Sequence, residues 1–240
     1  MQGELLHILA AAAGGVLPAL AWLWFWRRED SNHPEPRRLI ALAFFAGMLT
    51  VAIVIPIQKM TAAYIEETYF WVAAFSAQTL IFIAWSIIEE VVKFLMAYVT
   101  VLRRSEDDEP IDPVIYMVTV ALGFAAAENT LFLLSPLAGD SIVQTVMTGN
   151  LRFVGATLLH ILASAVIGVM MGFAFYEKRS IRIGYAFVGV VLACILHAAF
   201  NFFILNTDES ELLRTFAFVW LGIILLLAIL EFVKRLRPHW

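Results

Sequence analysis

Apolar stretches of about twenty residues or more follow one another along nearly the whole chain, and no other feature constrains the fold as tightly. They lie at roughly 5–26, 39–57, 70–102, 114–134, 152–175, 183–205 and 212–233. A bilayer core takes roughly 20 apolar residues per helical crossing, and inside it every backbone polar group must be satisfied internally. The runs are continuous and lack the apolar–polar alternation of membrane barrels. Charged residues make up only 15% of the chain, where soluble domains carry about 25%. An all-α, polytopic transmembrane bundle follows, read as one membrane-embedded domain over residues 1–240 because no long linker interrupts it. The N-terminal run has no basic leader segment and continues into Trp22–Trp26, so it reads as a span rather than a cleaved signal. Cys194 is the single cysteine, which excludes an intrachain disulfide and reads as a packing residue. With a net charge of −4, nothing points to a nucleic-acid partner.

The third run is too long for one straight crossing, so it is either one bent helix with an interfacial start or two crossings. Basic residues decide between these. With a single crossing, Arg27, Arg28, Arg37, Arg38, Arg103, Arg104, Lys178, Arg179, Arg182, Lys234, Arg235 and Arg237 share one side. Only Lys59, Arg152 and Arg214 lie opposite, and Arg152 reads as an interface anchor. Two crossings would scatter the basic residues over both sides. Seven spans with the N-terminus outside is the expected topology, eight if the third run crosses twice.

Ionisable groups at the bilayer centre cost at least ~2.5–3.5 kcal/mol on insertion scales and mark functional sites by default. The runs hold Glu89, Glu90 and Lys93, then Glu128, then His160, then His197 with Asn201. Four helices place these groups at one expected depth, about 9–13 Å below the outer surface at 1.5 Å per residue. Residues four apart share a helix face. Ala156, His160, Ser164, Gly168 and Gly172 form one stripe, and Gly189, Ala193, His197 and Asn201 another. Such small residues let membrane helices approach closely, so both histidines should face packed protein. Plainer roles also fit individual residues. Lys93 can neutralise Glu89 one turn away, Asn129 and Asn201 can bridge helices, Ser164 can pack, and Phe124 can form a wall. The adjacent pair Glu89–Glu90 resists such an explanation, because one lysine neutralises only one carboxylate.

Glu and His can activate a water, while His197 and Asn201 on one face can hold an oxyanion. No Gly-x-Ser-x-Gly or His-Glu-x-x-His occurs. The ordered set Glu89-Glu90-x-x-Lys93, Asp112 in Glu-Pro-Ile-Asp-Pro, Gly-Phe-Ala-Ala-Ala-Glu128-Asn129, Arg152…His160 and His197-x-x-x-Asn201 resembles the PrsW family of intramembrane proteases. The resemblance covers about residues 86–203. The broader group of CAAX-processing and abortive-infection proteases is similar, but there Glu-Glu is followed by an arginine one residue later, and a histidine stands where this chain has Glu128. The resemblance implies an endopeptidase that cuts a membrane-anchored protein, such as an anti-sigma factor, in a bacterial or archaeal cytoplasmic membrane. It implies water activation by Glu89 and Glu90, with His197 and Asn201 aiding catalysis or binding the oxyanion. The rival readings are a non-catalytic membrane scaffold and a proton- or ion-coupled transporter; a transporter would string its polar groups across the membrane rather than in one layer.

Charge balance adds a metal. Glu89, Glu90 and Glu128 against Lys93 leave two negative charges in the membrane if the histidines are neutral. A Zn²⁺ held by Glu128, His160 and His197, with a fourth position for water, would compensate them. Glu89 or Glu90 would then be the base. Without the metal the enzyme would be of glutamate type.

Overall fold

The computed structural model describes residues 2–29, 33–68, 76–138, 141–205 and 212–237. The elements are α1 (Gln2–Glu29), α2 (Arg37–Thr68), α3 (Ala77–Thr100), α4 (Asp112–Ala138) and α5 (Ile142–Leu151). A π-helical turn (Arg152–Ala156), α6 (Thr157–Phe173), α7 (Arg179–Leu205) and α8 (Leu212–Val233) follow. No strand occurs among the described residues. With α5, the π turn and α6 forming one continuous rod, the described residues build a bundle of seven long rods. Six of them are long and apolar enough to cross a bilayer. The seventh, α3, has 24 residues and carries Glu89, Glu90 and Lys93.

Three rods depart from their expected bounds. Helix α3 is a single helix that starts at Ala77, where the Ser76 hydroxyl caps it by accepting the Thr79 N–H at 3.1 Å. Residues 69–75, the expected interfacial start of the third run, lie outside the described residues. Helix α2 runs on past Pro56 to Thr68, and α5 extends the fifth rod ten residues before its expected start.

Helix α4 is the axis of the bundle. Residues 110–126 are buried without a break, as expected of a helix that is apolar all round. It packs against α1, α2 and α6. Its crossing with α2 is very close: a Cβ on Gly47 would stand 2.1 Å from the Val120 carbonyl oxygen, and one on Gly123 1.9 Å from that of Phe44. Without a hydrophobic drive between helices in lipid, such backbone contact supplies the packing. Outer helices turn large apolar side chains outward, among them Phe187 and Ile195 of α7 and Phe218 and Ile224 of α8.

The two small-residue stripes behave as their spacing predicts. His160, Ser164, Gly168 and Gly172 are all buried, and a Cβ on Gly168 would lie 2.4 Å from the Val114 Cα of α4. Gly189 of α7 lies against Ile167 of α6, and Ala193 is fully buried. Both histidines therefore point into the bundle.

At the other end of α4, the α3–α4 connection closes on Asp112. Its Oδ2 accepts the N–H groups of Asp108 and Glu109 at 2.8 and 2.6 Å. The Tyr116 hydroxyl donates to buried Glu35, whose carboxyl lies against that of Asp112.

Candidate active site

Each element brings one or two polar groups to a groove of about 570 Å³ bounded by α2, α3, α4, α6 and α7. Glu89 and Glu90 are neighbours on α3, and the helical rotation of about 100° per residue sends them different ways. Glu89 lines the groove; Glu90 is fully buried behind it. Glu90 Oε1 accepts from Lys93 Nζ at 2.5 Å and from His197 Nδ1 at 2.7 Å, and its Oε2 from the Ser164 hydroxyl at 3.3 Å. Lys93 thus neutralises Glu90 three residues away, not Glu89 four away. Ser164, expected only to pack, donates a hydrogen bond as well.

Glu89 is left with one partner. Its Oε1 accepts from Gln58 Nε2 at 2.8 Å, while the buried Oε2 has no hydrogen bond. That free oxygen lies 4.0 Å from His160 Nδ1 and 3.8 Å from His197 Nε2. The two imidazoles stand edge to face with centroids 5.1 Å apart. Phe124 meets His160 edge-on from the other side, so it is the expected wall.

The neighbours fix both histidine tautomers, because an ammonium only donates and a carboxylate only accepts. Lys93 Nζ lies 3.3 Å from His160 Nδ1, and Glu128 Oε2 lies 3.2 Å from its Nε2. His160 therefore carries its proton on Nε2, and its unprotonated Nδ1 accepts from Lys93 Nζ. His197 gives its Nδ1–H to Glu90 and presents a bare Nε2. These two unprotonated nitrogens lie near the unpartnered Glu89 oxygen. One such atom from each of Glu89, His160 and His197 lies within 4.8 Å of the others, a donor set of two imidazoles and one carboxylate that suits Zn²⁺.

The set expected from sequence differs from this one in a single member. Glu128 is on the outer side of His160, joined to the guanidinium of Arg152. Arg152 is not an interface anchor: its side chain is 15% exposed, its Nε donates to Asn129 Oδ1, and its guanidinium lies over the Phe132 ring at 3.8 Å. Counting Arg152 lowers the buried excess from two negative charges to one, the charge of Glu89. Asn129 bridges helices as expected, donating to Thr157 Oγ1 at 3.0 Å. Asn201 lines the groove and donates to Ser86 Oγ at 3.0 Å. Gln58 and Ser86 went unnoticed in the sequence. Ser86 lies one turn before Glu90, which is a usable signal; Gln58 lies just past 57, the expected end of the second apolar run.

The sequence pattern of the PrsW intramembrane metalloproteases matches residues 35–230, most of the chain. The chain belongs to the PrsW family. It is similar to Protease PrsW of Geobacillus kaustophilus, 30% identical over 197 residues that cover 82% of this chain and 80% of that one. Protease PrsW of Bacillus subtilis is 25% identical over 89% of this chain and 92% of its own length. That of Shouchella clausii is 27% identical over 96% and 97%. No solved structure matches the chain. Family membership makes this PrsW protein a multi-pass intramembrane protease, and its Glu89/His160/His197 cluster is compatible with the metal centre that the family description names.

Proposed function

We propose that Glu89, His160 and His197 hold a divalent cation, most naturally Zn²⁺, at which this PrsW protein hydrolyses a peptide bond of a membrane-anchored protein. The observation that carries this reading is the unpartnered Glu89 oxygen, which lies 4.0 and 3.8 Å from the unprotonated nitrogens of His160 and His197, the former shared with Lys93. Such an ion supplies a Lewis acid and a bound water of pKa near ~7. The other residues act around it. Glu90 holds the His197 ring through Nδ1–H, and Lys93 neutralises Glu90. Glu128 holds the His160 ring through Nε2–H. Carboxylates behind ligand histidines fix ring orientation and raise ligand basicity. Asn201, with its amide at the groove, stabilises the oxyanion. Of the two carboxylates expected to act on water, only Glu89 reaches the groove, so Glu90 serves as support.

The basic residues flank the ends where α1, α3, α6 and α8 finish and where α2, α4 and α7 begin. Removing Arg152 from the sparse side strengthens an assignment of that basic end to the cytoplasm. Glu89, Glu128, His160 and His197 then stand about 17 to 27 Å from the basic end at 1.5 Å per residue. Such depths support cleavage beyond the midplane of a core about 30 Å thick, towards the extracytoplasmic side. A membrane-anchored anti-sigma factor in a bacterial cytoplasmic membrane fits such a cut. The test is reconstitution in liposomes with single-span substrates and mass spectrometry of the fragments. Cuts in the outer half of the span, absent with Glu89→Ala, are expected. Cuts on the cytoplasmic side would refute the orientation, and full activity of Glu89→Ala would refute the site.

A further inference from the structure

We infer that Arg152 is a positioning residue of the metal centre, set in place by the π turn and acting through Glu128 on His160; this rests on the metal reading above. In an uninterrupted α-helix, residues eight apart point about 80° away from each other. The rod that carries Arg152 and His160 is not uninterrupted. Thr157 N–H donates to the Arg152 carbonyl, five residues back. This wide turn holds one residue more than an α turn, so the two side chains come to within about 20° of one face. Arg152 and His160 thereby reach the same carboxylate of α4 from one rod, at Glu128 Oε2.

The guanidinium fork is used at two points. One nitrogen meets Glu128 and Nε meets Asn129, the next residue of α4, while Phe132 one turn on stacks beneath. Thr157, the residue after the π turn, accepts from the other end of the Asn129 amide. Glu128 is thus held by a planar, doubly anchored cation. Held there, its carboxylate takes the His160 Nε2–H and fixes the ring with its unprotonated Nδ1 4.0 Å from Glu89 Oε2. A free Glu128 could swing into the groove it lines, and the His160 ring, then held only by Lys93 at Nδ1, would lose the partner that fixes its orientation. Lysine cannot reproduce two separated in-plane donors.

The test compares Zn²⁺ affinity of purified protein, read by competition with a chromophoric chelator, with kcat and KM for a cleaved substrate. Arg152→Lys should keep the fold and bind Zn²⁺ about 10–100-fold more weakly, the usual loss when a supporting partner of a ligand is removed. Its kcat should fall with KM nearly unchanged. Arg152→Ala should show the same loss, with partial recovery of Zn²⁺ affinity on adding millimolar methylguanidine, which a purely structural role would not give. Glu128→Gln, which needs no cation beside it, covers failure of the arginine variants to fold and should lose about tenfold. Wild-type Zn²⁺ affinity in folded Arg152→Lys or in Glu128→Gln, with His160→Ala unable to bind, would overturn the positioning role alone. Undiminished Zn²⁺ binding by His160→Ala would overturn the metal reading and this inference with it.

Discussion

Helix α4 carries a carboxylate near each end, buried Asp112 and half-buried Glu128, and the protein surrounds the two in opposite ways. Asp112 sits among other acids: Glu35 lies against it, Asp107 is close by, and its donors are two backbone N–H groups. Glu128 sits among cations and imidazoles, and so does Glu90 on α3. Acids that face one another and the backbone close a turn between helices. Acids that each hold one nitrogen of a histidine leave its other nitrogen unprotonated. The number of carboxylates is similar at the two ends; the difference lies in what each one accepts from.

The sharpest way to break this contrast is to exchange functional for structural carboxylates. Glu89→Ala should lower the cleavage rate by roughly 10³-fold or more, as expected when a group at the reacting centre is removed. Compared with metal-stripped wild type, it should leave the thermal midpoint in detergent nearly unchanged, because only the Gln58 bond is then lost. Asp112→Asn should lower the midpoint but leave the rate per folded molecule near wild type. Equal losses of activity in both variants would erase the distinction. Next in size, Glu90→Ala should destabilise the fold by about 3–5 kcal/mol, since it strands the fully buried Lys93 ammonium. Chemical denaturation of Glu90→Ala beside Glu89→Ala measures this, and a smaller loss in Glu90→Ala would contradict the supporting role. Asn201→Ala should retain weak activity, about 10²–10³-fold below wild type, as for one lost oxyanion donor. Single-turnover cleavage separates that residue from complete inactivation.

The smallest effect belongs to the acidic end. Burial pushes the Asp107 carboxyl up to about 7, helped by Glu35 and Asp108 and opposed by Arg182. The folded protein therefore holds a proton there that the unfolded chain, near 3.8, has already released. Stability should decline as pH rises from about 4 to 7 and level off above, because the native state binds more protons over that window. Asp107→Asn should flatten the slope of the thermal midpoint across the window. An unchanged slope would detach Asp107 from it.

The helices and the polar layer were legible because both follow from periodicity within one rod. Continuous apolar runs gave the rods, and the small-residue spacing on α6 and α7 aimed His160 and His197 inward. What a single rod does not encode is which partner each charge meets. Lys93 is three residues from Glu90 and four from Glu89, and only the packing of α3 against α6 and α7 selects Glu90. Arg152 stands where an apolar run begins, so it resembled an interface anchor; the π turn that draws it inward leaves no signal in hydropathy. Leaving Arg152 out of the buried set left Glu128 with an apparently uncompensated charge and favoured it as a ligand, whereas the structure pairs it with Arg152. Gln58 was missed for a related reason, because it stands where the apolar run ends at 57 while its helix runs on to Thr68.

The central claim is that Glu89, His160 and His197 bind the catalytic metal while Glu90 and Glu128 support it. Metal stoichiometry is the direct measurement, made by elemental analysis on protein purified without chelator, for wild type and the three ligand variants. One equivalent of Zn²⁺ or a similar divalent ion in wild type is predicted. Much less than one is predicted in Glu89→Ala, His160→Ala and His197→Ala, with wild-type activity lost to a strong chelator and restored by the ion. Metal-free wild-type protein that stays fully active after chelation would contradict the claim and leave a protease working with Glu and His alone.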